Sequence, residues 1–517
     1  MILRLRQGRR WLALNGKSMT KNLHFTPLLC AALGTAAGFY FLSSLTLSVV
    51  IVFLFVSLAT ICFFTVLASF TCFFPAAHKW PETDRQPRLL QLTAVRAAAL
   101  SAGLILGVCA ASAGNSKVNL SIPENKITAI EGVLLDDPRI ITGGRAIVTL
   151  SLRKLTTEGG LRSSSGGEIT IFFPQESTEK LREFGRGTAV FSEGRLRSSE
   201  TGWTFSANSM HIIKPASAIE RMRTGIRLDL ISRFDGKSWG GLALALLLGI
   251  RDNLDTNLAV MYRDAGCSYI LALSGMHLAI LAALIAFFLK KPLGLKTASI
   301  AGAVIISLYC FIVGPMPSLN RAALMYLLGV IAILGALPRK PLSILSLSFL
   351  IQIVISPTDG YSISFILSYL ALAGILVIGQ PLYSLLAGKA PDFLLQPISA
   401  SCGAFLATAG ITSFTFGIVI PMGIITGIVL VPLTTVFMTG SFVWLIFDLL
   451  SFSGFFSLLL ALLYNLMERI VTLAGSVPGI SAGRPFVILA LSIALSLIIV
   501  VLEYKRRAAQ FKLQTFP

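Results

Sequence analysis

The residues best equipped for chemistry crowd into one stretch. Arg251, Arg263 and Asp264 precede the run Ser274–Gly275–Met276–His277. Positions i and i+3 of a helix share a face, so the Ser274 hydroxyl and the His277 imidazole can meet. Nucleophilic catalysis asks for more: an acid to orient the imidazole and donors for an oxyanion. No acid stands at a matching spacing. An imidazole inside an apolar segment is costly and tends to mark function. The plainer reading is a histidine satisfied by a neighbouring helix or seated at headgroup level, and both readings stay open. The 4 histidines form no HxH, HExxH or HxxEH run, and no GxxxxGK[ST] loop is present. The 7 cysteines contain no CxxC pair. No metal, cofactor or enzymatic activity is expected of this polypeptide.

The elements that position these residues belong largely in lipid. The chain has 517 residues, 55% hydrophobic and 13% charged, with a mean hydropathy of +0.79. Soluble proteins carry about 25% charge, so the composition argues against a soluble enzyme. The net charge of +19 invites a nucleic-acid reading until it is divided by region. Residues 115–236 hold 17 basic and 14 acidic side chains, whereas residues 1–114 hold 10 and 2. The excess therefore lies at the tails and in loops between apolar runs, where Lys and Arg orient membrane spans.

Along the chain, residues 1–114 read as a basic N-terminal tail and three spans, at about 25–42, 47–74 and 92–114. Each is long enough for the ~30 Å hydrocarbon core. Residues 115–215 change to apolar alternation with Gly-rich turns. Five strands are predicted there, at 126–135, 145–155, 168–173, 188–196 and 201–213, with Asp136–Pro138 closing the first. Such a pattern suggests a small barrel or sandwich, of which the OB-fold is one member. Residues 216–238 read as an amphipathic helix with Ile219, Met222, Ile226, Leu230 and Phe234 on one stripe and arginines elsewhere. It is expected to lie in the membrane interface or to pack under the β-domain. Residues 239–502 read as a single transmembrane domain. It begins with a segment too short to span comfortably, Gly240–Gly249, and a short helix capped by Asp252 or Asp255 and ended by Gly266. Nine spans follow, at about 268–289, 297–313, 320–337, 341–356, 361–378, 398–416, 420–446, 452–475 and 484–502. Residues 503–517 form a basic tail. The fold class is thus a polytopic α-helical membrane protein of about twelve spans with a small all-β, OB-like domain. Loop Lys and Arg place both termini in the cytoplasm and the β-domain outside.

The string ALLLGIRDNLDTNLAVMYRDAGCSYILALSGMHLAIL, starting at Ala245, resembles the signature block of the ComEC-type competence proteins, which are DNA-uptake channels of the bacterial cytoplasmic membrane. The matching positions are Gly249, Arg251, Arg263, Ala265–Gly266, Leu271–Ala272 and Ser274–Gly275–His277. Ser318–Met325 (SLNRAALM), Phe365–Leu376 (FILSYLALAGIL) and Gly423–Leu433 (GIITGIVLVPL) resemble three further family segments in the same order. Ile366 replaces the usual Gln, and Gly427 the usual Asn. Many family members also end in a metallo-β-lactamase-like domain, but this chain has no HxHxDH run, so no nuclease activity is expected of it.

The resemblance implies passage of single-stranded DNA inward during natural transformation. It also implies partners: an extracytoplasmic DNA receptor, a cytoplasmic translocase or helicase, single-strand-binding proteins, a separate nuclease and the lipid bilayer. A strand needs a wet route with weak, repeated contacts, usually Lys and Arg with aromatic stacking. Channel candidates are Arg251, Arg263, Asp264, Ser274, Gly275, His277, Arg321, Phe365, Ser368 and Tyr369. Arg321 is the best phosphate contact, its alternative role being a span-end arginine reaching the interface. Asp264 can pair with Arg251 or Arg263. Phe365 and Tyr369 lie one turn apart and can stack bases, or else face lipid or core. Arg195, Arg197, Trp203 and Phe205 are the β-domain's DNA-contact candidates. Two alternatives compete: a small-solute or proton-coupled permease working through His277, and an intramembrane hydrolase using Ser274 and His277.

Overall fold

The computed structural model describes residues 27–40, 86–114, 122–141, 144–199, 202–449, 454–481 and 483–515. The expected span 47–74 lies outside them. In chain order the elements are α1 (Pro27–Tyr40), α2 (Gln86–Gly114), β1 (Ile127–Leu134), β2 (Arg139–Ile140), β3 (Ala146–Thr157), β4 (Arg162–Ser164), β5 (Glu168–Phe173), α3 (Thr178–Phe184), β6 (Ala189–Ser199), β7 (Gly202–Ala207) and β8 (His211–Lys214). Then come α4 (Ala218–Phe234), α5 (Gly240–Leu248), α6 (Thr256–Asp264), α7 (Ser268–Leu271), α8 (Gly275–Val313), α9 (Pro317–Leu334) and α10 (Pro341–Ile355). Finally come α11 (Ile363–Gly374), α12 (Gln380–Leu386), α13 (Asp392–Phe416), β9 (Ile418–Val419), α14 (Met422–Leu449), α15 (Gly454–Gly475), β10 (Ile480–Ser481) and α16 (Pro485–Thr515).

Among the described residues, 8 helices are long and apolar enough to cross a membrane, and α1 and α10 are shorter apolar helices. The expected spans 268–289 and 297–313 form one helical run, α8, broken at Gly294 (φ 75°, ψ 169°) beside Pro292. Pro292 removes a backbone donor, and Gly294 leaves the helical region without steric cost. The first of these spans starts at 275 rather than 268, because Ser274 caps α8 there. The span expected at 361–378 runs on through a π-turn, Ile375–Gly379, into α12.

Two compact units are present. One comprises Met1–Asn115, Leu324–Gly417 and Ala482–Pro517; the other comprises Ser116–Ala323 and Ile418–Ser481. The segment 239–502, expected as one domain, is therefore divided between them. Its helices α10, α11 and α13 pack with α1 and α16, whereas α8 and α15 pack with α14. In the first unit, Gly34 and Gly38 of α1 face Gly103 and Gly107 of α2, and a Cβ at any of the four would collide with the opposite backbone. Two small-xxx-small faces thus meet at backbone distance. Tyr40 donates to Gly360 O at 2.7 Å and Tyr361 to Ala111 O at 3.0 Å, which ties the α1–α2 pair to the turn after α10.

In the second unit, β1, β3, β5, β7 and β6 pair in that order, and β6 pairs back with β1, which closes a five-stranded barrel. β5 and β7 run parallel; the other ring pairs are antiparallel. With α3 between the third and fourth ring strands, this ring belongs to the OB-like class expected. Alternate side chains, including Ile130, Val148, Leu150, Ile171, Phe173 and Phe205, fill its core. The strand expected over 201–213 is two strands, β7 and β8. They pair with successive halves of β6, so the chain must turn at 208–210.

Candidate functional site

The chemistry-bearing residues of the second unit converge where the chain passes from α5 to α8. α5 is buried along Leu242–Leu248, and Tyr309 of α8 donates to its Leu247 carbonyl at 2.7 Å. Asp255, rather than Asp252, caps α6 by accepting from Asn257 N at 2.9 Å. The chain turns at Gly266 (φ 71°) and passes through α7 to Ser274. There the Ser274 hydroxyl accepts from Met276 N at 3.3 Å, and His277 Nδ1 accepts from Ser274 N at 3.1 Å. Ser274 Oγ and His277 Nδ1 are also 3.1 Å apart. The pair is a reciprocal cap that satisfies the first donors of α8. His277 is fully buried, and its Nε2 has no hydrogen-bond partner among the described residues.

Three side chains hold this segment from outside. Arg251 Nη2 donates to Leu271 O at 3.0 Å, and the Ser318 hydroxyl donates to Leu273 O. Arg321 lies over Gly275, where a Cβ would come within 2.7 Å of Nη2. Arg321 is only 7% exposed, so the alternative of a span-end arginine extending to the interface is overturned. Arg251, Ser274, Gly275, His277 and Arg321 thus meet on one short stretch of backbone. Arg251 and Arg263 also line a pocket of about 320 Å³ with Thr256, Ser268 and Leu271. Asp264 pairs with Arg263, at 3.1 Å.

The same stretch is seated on α14 with no side chain between. A Cβ on Gly423 would lie 2.5 Å from Gly266 O. One turn on, the Tyr269 hydroxyl fills the space that a side chain at Gly427 would need. The departure at Gly427 therefore makes room for Tyr269. The spacing Gly423-x-x-x-Gly427 signals such a close approach, and the sequence reading passed over it.

A second cluster escaped the sequence reading altogether. α4 buries Arg223 and exposes the first three positions of the stripe expected to be its apolar contact face: Arg223 is 0% exposed, whereas Ile219 is 64% and Met222 60% exposed, and only Phe234 at the end of the stripe is buried, against Trp239 and Trp444. Ile219, Met222 and Ile226 therefore do not pack under the β-domain, and their exposure is compatible with the interface reading. Arg223 Nε donates to Phe311 O at 2.8 Å, and Arg227 Nη1 to Val313 O at 2.7 Å, so both cap the last carbonyls of α8. Both also reach Asp137, in the turn after β1. Burial pushes the Asp137 carboxyl up, but the Arg223 hydrogen bond and the charges of Arg227 and Arg223 outweigh it and hold it below the usual aspartate range. Asp252 goes the other way: burial raises it, against the Ile140 backbone N–H and the charges of Arg182, Arg139 and Arg227. Arginines four apart on one face, with an aspartate in a neighbouring turn, were the available signal.

The remaining candidates are placed differently from expectation. Leu196 and Phe205 point into the barrel and Trp203 packs against its core, whereas Arg195 and Arg197 are exposed on the opposite face beside Ser206 and Thr204. Period-two alternation separates them, so the proposed mixed surface of arginine and aromatic does not form. In the first unit, Phe365 and Tyr369 are buried against each other (centroids 4.7 Å) and against Phe349 (5.7 and 5.2 Å). Tyr369 also donates to Gln352 Oε1 at 3.1 Å. Their faces are covered, which removes base stacking there; Ser368, between them, is half-buried. Among the described residues no group of three or more His, Cys, Asp or Glu is placed to hold a metal.

A family model described as Competence protein matches residues 246–507, just over half of the chain and the whole of the segment that begins with α5's last turns. The chain belongs to the competence protein family. With 8 described helices able to cross a membrane, this competence protein is a multi-pass membrane protein. It is similar to ComE operon protein 3 of Bacillus subtilis (strain 168), 29% identical over 138 residues. That match covers 25% of this chain and 17% of the relative.

Proposed function

We propose that this competence protein passes single-stranded DNA across the cytoplasmic membrane into the cell during natural transformation. The observation that carries the reading is the gathering of Arg251, Ser274, His277, Ser318 and Arg321 on one helix break among apolar segments. Broken helices and buried charge at membrane depth are tolerated where they line a route or a site. Membership of the family and similarity to a protein named for a competence operon support the same reading. The chain crosses the membrane about twelve times, with both termini in the cytoplasm and the barrel outside. It receives the strand from an extracytoplasmic receptor and delivers it to a cytoplasmic translocase or helicase and single-strand-binding proteins, while a separate nuclease removes the other strand. The chain itself does no covalent chemistry, and the Ser274–His277 contact serves as a cap.

The test is uptake of labelled DNA by a transformable host at matched protein levels. Arg321→Ala and His277→Ala each reduce entry into the cytoplasm at least tenfold while DNA still accumulates outside. Normal entry in both variants overturns the reading. Flux of a small solute through reconstituted vesicles that ignore DNA favours the permease instead.

A further inference from the structure

The outward arginines of β6 do keep an aromatic companion, but it comes from β5. The strand pairings place Arg195 opposite Ser206 of β7, and Ser206 beside Phe172 of β5. Two residues along, Arg197, Thr204 and Thr170 make a second such row. Between the rows run Leu196, Phe205 and Ile171, and all three are buried in the barrel core. Alternation along each strand therefore turns both flanking rows outward. Arg195, Arg197 and Ser206 are exposed, and Phe172, Thr170 and Thr204 are half-buried. Among the described residues neither arginine forms an ion pair with a carboxylate. The acids of β6 and β5, Glu193 and Glu168, stand one outward position beyond the rows, at opposite ends.

Neighbouring strands lie about 4.8 Å apart, so each row sets its arginine two strands, about 10 Å at the backbone, from β5. Only small hydroxyl side chains stand between, which leaves a shallow shelf from Arg195 to the Phe172 ring. Along β6 the two arginines are about 7 Å apart. A ligand that fits carries a flat group and an anion held a short spacer apart, with the anion repeated at regular intervals. A nucleotide chain has this form, as base, sugar and phosphate. Stacking on an aromatic ring tolerates every base, and arginine forks grip phosphate oxygens in pairs. We propose that Arg195, Arg197 and Phe172, with the hydroxyls between them, form a platform on the barrel that holds a single DNA strand without reading its sequence, one base on Phe172 and successive phosphates on the two arginines. This rests on the single-strand reading above and moves the barrel's aromatic contact from Trp203 and Phe205 to Phe172.

The experiment uses the full chain in nanodiscs of uncharged phospholipid and a fluorescently labelled oligothymidine, with binding read by anisotropy across a salt series. Each strand phosphate that the protein no longer neutralises flattens the slope of log K against log[salt] by about 0.7. Arg195→Gln and Arg197→Gln each flatten it by about that amount, and the double variant by about 1.4. Both side chains are exposed, so their replacement leaves the fold intact. Phe172→Leu keeps an apolar side chain on the barrel surface and lowers affinity about fivefold or more at an unchanged slope, since a stacking contact carries no charge. Phe172→Trp restores binding. Arg162→Gln, on β4 beside the far end of β3, changes neither quantity. An unchanged slope in both arginine variants, with a wild type that binds, overturns the platform while leaving the channel reading intact. Equal flattening by Arg162→Gln overturns it as well, because attraction to the whole basic surface then accounts for binding. Wild-type affinity in Phe172→Leu removes the stacking contact and with it the platform. A wild type that does not bind the oligonucleotide at low salt also overturns the platform, and the uptake assay then decides the channel reading by itself.

Discussion

Asp137→Ala is the sharpest probe of how the barrel is held to the transmembrane part of its own unit. Arg223 is fully buried, and its guanidinium reaches Asp137, Glu220 and the carbonyls of Phe311 and Ile312. Removing Asp137 leaves that cation buried with its strongest partner gone. Breaking a buried pair from one side costs about 3–5 kcal/mol. The Asp137 side chain is 21% exposed, so solvent screens part of the interaction. The lower end, about 3 kcal/mol, is the expected loss. At about 1.4 kcal/mol per decade, that is on the order of a hundredfold in the local opening equilibrium. Amide hydrogen exchange of the protein in nanodiscs reads it directly: amides of α4 exchange on the order of a hundredfold faster, while those of the ring strand β5 change little. The pH dependence follows from the direction of the Asp137 shift. Its folded-state value lies below the unfolded one, so its contribution is full above about 3.9, the unperturbed aspartate value, and is lost as pH falls through the folded value. Variant and wild type therefore differ at neutral pH and converge only below about pH 4. Less than a threefold change in α4 exchange at neutral pH refutes the account of Arg223 as a cation that depends on Asp137.

Gly275→Val pushes the Arg321 guanidinium off the start of α8; DNA uptake falls to the level of Arg321→Ala, and the double variant is no worse than either single one. Gly423→Leu forces a side chain into the Gly266 backbone and lowers the thermal midpoint of the purified protein by an amount matching an overpacking cost of about 1–3 kcal/mol, with uptake lost alongside. Ser274→Ala removes a helix cap at a cost of about 1 kcal/mol and keeps measurable uptake. Complete loss of uptake with unchanged thermal stability would instead point to hydroxyl chemistry.

Much of the architecture was legible because its signals are local. Apolar runs bounded by lysines and glycines located most of the described apolar helices, though the starts expected at 268 and 398 lie six to seven residues from those observed at 275 and 392, and period-two alternation gave the ring strands of the barrel. Asp255, Gly266 and Ser274 act on their own neighbours, so their capping roles were open to spacing arguments. What stayed hidden depends on partners far along the chain. Arg223 reads as one more polar residue on an amphipathic helix until the end of α8, 88 residues away, is brought to it. Gly34, Gly38, Gly103 and Gly107 pass for ordinary small residues in apolar runs until α1 meets α2. Phe365 and Tyr369 have the right spacing for stacking, but Phe349 from another helix covers them. The alternation that separates Arg197 from Phe205 was visible, and weighing it would have kept the two off one surface.

The seat of Gly266 on Gly423 has a mechanical meaning. Two backbones pressed together without a cushion of side chains cannot yield by small rotamer adjustments. Such a joint is either engaged or parted, and a passage controlled by it would conduct in discrete steps, with no graded throttle between shut and open.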